Sequence, residues 1–140
     1  MTYKINLVIG DWSGDSNGLK ETYVIESNLS AKQIEAAYTK ATKLLKINLI
    51  TDVCDQGEAE ITKDQLDKFV AHGANLSEIF GYDQATIDKH LIKDKKFWIE
   101  EDGFLNLYLF TIKLGDPSFT YEFVTNNNET INIGGNSLFC

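Results

Sequence analysis

Along residues 2–10, apolar and polar positions change places at every step. Tyr3, Ile5, Leu7 and Ile9 alternate with Thr2, Lys4, Asn6 and Val8, the two-residue period of a half-buried strand. A second such stretch, Thr22–Glu26, puts Tyr23 and Ile25 on one face. The two are expected to pair antiparallel, although the Gly10–Lys20 loop between them is longer than a tight hairpin needs.

The period then changes. Ile34, Ala37, Tyr38, Ala41, Leu44 and Leu45 recur at helical spacing and form one apolar stripe. Ser30, with Gln33 three positions on, is a capping box; its side chains take up N–H groups that the first turn leaves unpaired. Thr62 and Gln65 repeat the signal ahead of Leu66, Phe69 and Val70, and Gly73 stops that helix. Asp83 is expected to cap a third helix with Ile87 and Leu91 facing inward, and "NLSEIFGY" before it fits a single helical turn. The short run Ile47–Val53 reads as a strand or an extended crossing.

The C-terminal third looks different. In "FLNLYLFTIKLG", Leu105, Leu107 and Leu109 fall on one side, with Phe104, Tyr108, Phe110 and Ile112 on the other. Read at a period of two, this predicts a central strand buried on both faces. Gly115, Asp116 and Pro117 form a turn, Phe119, Tyr121 and Phe123 resume alternation, and "INI" before Gly134–Gly135 predicts a last short strand. Trp98, in "KKFWIEED", is expected to anchor the core, together with Val8, Ile9, Leu45, Phe69, Leu107, Leu109 and Phe123.

These elements predict an α+β fold: an antiparallel or mixed sheet from the N- and C-terminal strands, with about three helices packed on one face. Without internal repeats or a linker, residues 1–140 are expected to form one domain.

Composition narrows the function more than the fold. The chain is 43% hydrophobic and 11% aromatic, as expected of a folded protein. Residues 1–9 lack the features of a signal peptide, and no apolar run reaches membrane-spanning length, so a cytoplasmic protein without membrane contact is expected. Cys54 and Cys140 are too few for a disulfide framework and are expected as free thiols.

The net charge is −8, and all 13 basic residues are lysine. Arginine, the usual bidentate ligand of phosphate and of guanine edges, does not occur. An acidic, arginine-free chain argues against nucleic-acid binding and excludes an arginine finger from this chain. There is also no phosphate-binding glycine loop, no dinucleotide-binding glycine triad and no paired CxxC zinc pattern.

The loop "GDWSGDSNG" holds the sharpest candidate chemistry. Asp11, Ser13, Asp15 and Asn17 offer oxygens at alternate positions, as a calcium loop would. The match is partial: Ser16 stands where a calcium loop needs glycine, Thr22 stands where it needs glutamate, and the expected flanks are strands. The same residues make ordinary surface turns. Trp12 in their midst either folds back onto the core or stands out for contact.

Two further groups compete with it. Asp52, Asp55, Glu58 and Glu60 surround Cys54, which suits magnesium or acid–base work but equally a solvated acidic loop. Cys54 with His72 or His90 would make a nucleophile and base, without any local signature to support it. Lys89, Lys93, Lys95 and Lys96, followed at once by Glu100, Glu101 and Asp102, read as a solvated, charge-laced face.

The preferred reading is a non-enzymatic module that binds a protein partner with a basic surface through the Trp12 loop, needing no cofactor. The alternative is a calcium- or magnesium-binding domain, or a small metal-dependent hydrolase, using Asp11 and Asp15 with Asp52 or Asp55 folded near. No catalytic residue is assigned.

Overall fold

The computed structural model describes residues 2–10, 20–53, 60–124 and 129–132. Strand β1 (Tyr3–Gly10) pairs antiparallel with β2 (Lys20–Ser27), with Ile5 opposite Ile25 and Leu7 opposite Tyr23. This is the expected pairing. Because opposed residues of an antiparallel pair point the same way, the register gathers Ile5, Leu7 and Ile25 on one fully buried face.

Helix α1 (Ala31–Leu45) follows β2, and the Ser30–Gln33 capping box forms in both directions. Its stripe of Ile34, Ala37, Tyr38, Ala41 and Leu45 is buried, whereas Leu44, expected on that stripe, is more than half exposed. After Lys46, held in the left-handed region at φ 58°, the chain does not extend. Leu49–Val53 coils into a short π-helical turn instead of a strand or an extended crossing. Two polar side chains explain the turn. Asn48 Oδ1 accepts from the backbone N–H of Ile50 at 3.0 Å, and Asp52 Oδ2 accepts from the N–H of Asn48 at 2.7 Å. Such local bonds offer the backbone partners that a ladder would otherwise supply.

A second, smaller sheet joins β3 (Glu60–Thr62) to β4 (Lys96–Trp98), antiparallel, across three short helices. These are α2 (Lys63–Ala71), capped by Thr62 and Gln65; α3 (Leu76–Phe80), capped by Asn75; and α4 (Gln84–Asp94), capped by Asp83. Gly73, at φ +97°, supplies the stop after α2. Ile87 and Leu91 of α4 face inward as expected.

The main correction concerns "FLNLYLFTIKLG". It is no central strand: Glu101–Gly115 is a helix, α5. Phe104, Leu105, Leu107, Tyr108, Leu109 and Ile112 are all buried, so nearly the whole circumference of α5 is apolar. A helix enclosed on every side loses the one-sided stripe that distinguishes it from a buried strand. Helices α1, α2 and α4 are the three expected, α3 is the expected single turn in "NLSEIFGY", and α5 is the addition.

From α5 the chain returns to the main sheet. Asn28, just past β2, donates to the Ser118 carbonyl at 2.8 Å and accepts from the Thr120 N–H at 2.9 Å. That clamp delivers β5 (Tyr121–Phe123) to the outer side of β2. Strand β6 (Glu129–Asn132) pairs parallel with β1, giving the mixed order β5-β2-β1-β6. The fold is α+β, with helices packed against a mixed sheet built from both ends of the chain.

Of the expected core residues, Val8, Leu45, Phe69, Leu107 and Leu109 are buried, and the side chain of Ile9 lies outside the described residues. Phe123 is not core: it is 56% exposed. Its strand is a three-residue edge whose side chains extend beyond the helical cover, and Phe119 fills the core in its place.

Candidate functional site

Three-residue strands leave little room for choice about which side chains turn outward. In the β3–β4 pair Ile61 stands opposite Phe97, and both are buried. Glu60 faces Trp98 and Thr62 faces Lys96, so the alternation puts these four on the outer side. There Lys96 Nζ reaches Glu60 Oε2 diagonally at 3.2 Å. Trp98 is therefore not the expected core anchor. It is 58% exposed, while Phe97 and Ile99 on either side of it are buried.

Beside Trp98 opens a cleft of about 250 Å³, with Tyr82, His90, Lys96, Phe97 and Glu100 among its walls. Each wall has a local reason for its place. Gly81, at φ +75°, ends α3 and turns the chain so that Tyr82 precedes the Asp83 cap of α4. The Phe97 ring meets Phe80 at 4.9 Å and receives the edges of Tyr82 and His90, each at 6.3 Å between centroids. Glu100 is the N-cap residue of α5, yet its carboxylate makes no capping bond. Instead Oε1 accepts the Tyr82 hydroxyl at 3.0 Å. That bond, and the negative charge behind it, raise the Tyr82 pKa, so the phenol stays a donor.

The neighbouring acid of this run is held in the same way. Asp102 Oδ1 accepts the Tyr23 hydroxyl from β2 at 2.8 Å. Tyr23 of β2 and Tyr82 between α3 and α4 thus tie down the start of α5, and with it the Glu100 side of the cleft.

Neither the known family models, nor the curated proteins, nor the solved structures give a match to this chain.

On the far side of Lys96 lies a larger groove of about 720 Å³, with Leu91, Ile92, Lys63 and Lys95 in its lining. Its lysines are in part committed: Lys63 bonds Asp67 at 2.9 Å and Lys96 bonds Glu60. The cleft differs in combining flat aromatic faces with one carboxylate.

The residues singled out from the sequence fare unequally. Asp11, Trp12, Ser13, Asp15 and Asn17 lie outside the described residues, as do Cys54, Asp55, Glu58 and Cys140. Asp52 is used structurally, holding the turn at Asn48, and Glu60 is bridged to Lys96. His72 ends α2, with Nδ1 2.9 Å from the Lys68 carbonyl. His90 is exposed on α4 and faces the cleft. Lys89, Lys93, Lys95 and Lys96 are all exposed, as a solvated face requires. Among the described residues no three His, Cys, Asp or Glu side chains gather where they could hold a metal, and no helix is long and apolar enough to cross a membrane.

Sequence reasoning placed Trp98 in the core and Glu100 on a solvated charged face, and singled out no role for Tyr82. The signal available was the alternation Lys96–Phe97–Trp98–Ile99. In a half-buried strand only one of two adjacent aromatics can face the core, and Ile99 takes the same side as Phe97.

Proposed function

We propose that this protein is a non-enzymatic module that binds a partner protein, with its contact face centred on Trp98 and a partner that presents a basic surface. The observation that carries the reading is the 58% exposure of Trp98 at the mouth of a cleft walled by Tyr82, Phe97 and Glu100. Tryptophan and tyrosine contribute a large, rigid contact area at little entropic cost, which is why they dominate binding hot spots. The net charge of −8 favours encounter with a positively charged surface. The loop around Trp12 would make a second contact on the same kind of partner.

The test is affinity capture from native lysate, followed by titration of the purified partner against wild type and Trp98→Ala. The substitution is expected to leave the melting temperature nearly unchanged and to weaken binding by about 2 kcal/mol or more. Binding should also weaken as salt rises. A partner that binds wild type and Trp98→Ala equally well would remove Trp98 from the contact face.

A further inference from the structure

We infer that the cleft between Tyr82, Trp98 and Glu100 receives an arginine side chain of the partner protein. The inference deepens the protein-binding reading and rests on it.

The walls suit a guanidinium group. Its plane stacks on aromatic faces, and its fork of N–H donors matches a carboxylate. Tyr82 and Trp98 supply exposed rings, Phe97 lies behind them, and Glu100 supplies the carboxylate. Glu100 Oε1 is already oriented by the Tyr82 hydroxyl at 3.0 Å, and the carboxylate is not spent on capping α5. Among the described residues Glu100 makes no salt bridge. The one lysine in the cleft wall, Lys96, pairs with Glu60 on the outer face of the small sheet, and His90 stands against the Phe97 ring. A cleft of about 250 Å³ is smaller than the roughly 300–1,000 Å³ typical of drug-sized ligands and fits a single side chain.

The composition points to a donor other than these residues. All 13 Lys and Arg positions of residues 1–140 are lysine, so this stretch of a second copy offers no arginine. A lysine ammonium would satisfy Glu100 as a point charge but would not stack in the same way. The overall acidity adds long-range attraction toward an arginine-bearing surface without fixing which side chain enters.

The experiment titrates the full chain, followed by NMR, with three short glycine-flanked peptides that differ only in a central arginine, lysine or citrulline. The arginine peptide is expected to shift the Trp98 indole and the Glu100 signals saturably. Lysine should bind about tenfold more weakly, and citrulline, which keeps the shape but not the charge, should show no saturation. Trp98→Ala and Glu100→Gln, each checked by thermal melt, should both abolish the response. Equal binding of the arginine and lysine peptides would overturn the inference, as would shifts that survive Trp98→Ala. Failure of the arginine peptide while Trp98-dependent partner binding persists would sink the arginine assignment alone. Loss of both would sink the protein-binding reading as well.

Discussion

The rings of Tyr38 and Tyr108 stack with centroids 4.8 Å apart and planes 29° from parallel, joining α1 to α5 inside the core. Burial pushes the Tyr38 phenol up from 10.0 to about 12, and burial followed by the neighbouring Tyr38 raises Tyr108 further. A raised phenol pKa favours the folded state fully below the unfolded value and ceases to do so as pH climbs through the folded one. Above about pH 10 the unfolded chain releases these protons while the folded chain keeps them, at a cost of up to about 1.4 kcal/mol per pH unit for each phenol. Chemical denaturation at pH values on either side of 10.0 should show stability falling steeply on the alkaline side. Tyr108→Phe should make that fall shallower. Unchanged stability across the range would contradict the burial of this pair.

Gly115 closes α5 against the backbone of α1. A Cβ added there would overlap the Ala37 carbonyl, lying 2.6 Å from its carbon. Two effects oppose each other in Gly115→Ala. Helix propensity favours alanine by about 1 kcal/mol, while overpacking a tight contact costs about 1–3 kcal/mol, and more when the obstacle is backbone. The clash should win. We expect a net loss of stability, whereas alanine at a solvent-exposed helix position would be neutral or better. Calorimetry of the single variant decides the sign.

The same helix marks the limit of what the sequence discloses. Capping chemistry is local, so Ser30, Thr62 and Asp83 announced their helices, and all three caps form. The β1–β2 pair was equally legible, because alternation reports a face that one side of the sheet buries. Residues 104–112 carry no such contrast. Apolar side chains on nearly every side are compatible with either period, and length separates the two readings: α5 has 15 residues, and buried strands seldom exceed about 8. The acidic run Glu100–Asp102 ahead of it, suited to a helix N-terminus, was a further clue. Trp98 and Phe123 were misplaced for another reason. Composition speaks for an aromatic being in the core, but both sit on three-residue strands where tertiary cover, not residue type, decides exposure.

The opening loop bears on metal dependence from its sequence alone. Asp11, Ser13, Asp15 and Asn17 would supply at most four side-chain ligands, and a calcium site gathers about six to eight oxygens. Thermal melts with calcium and with chelator are therefore expected to coincide. A calcium-dependent rise that Asp15→Asn abolishes would instead favour the metal-binding alternative.

The last prediction concerns how the two sheets fold. Ile5 lies in the main sheet and Ile61 in the small one, yet both are fully buried members of one contiguous cluster that runs through α1, α2, α4 and α5. Cooperative unfolding follows when no boundary of polar or solvated contacts separates the halves. We propose that residues 1–140 unfold as a single unit. Ile5→Ala and Ile61→Ala should each cost about 2–5 kcal/mol, and each should lower one shared transition. Trp98 sits on the small sheet, so its fluorescence in a Trp12→Phe background reports that region, while far-UV circular dichroism reports the whole. In both variants the two signals should move together. If Ile61→Ala melts the Trp98 signal early while most of the dichroism survives, the small sheet with α2 and α4 is a separate folding unit, and the proposal of one domain fails.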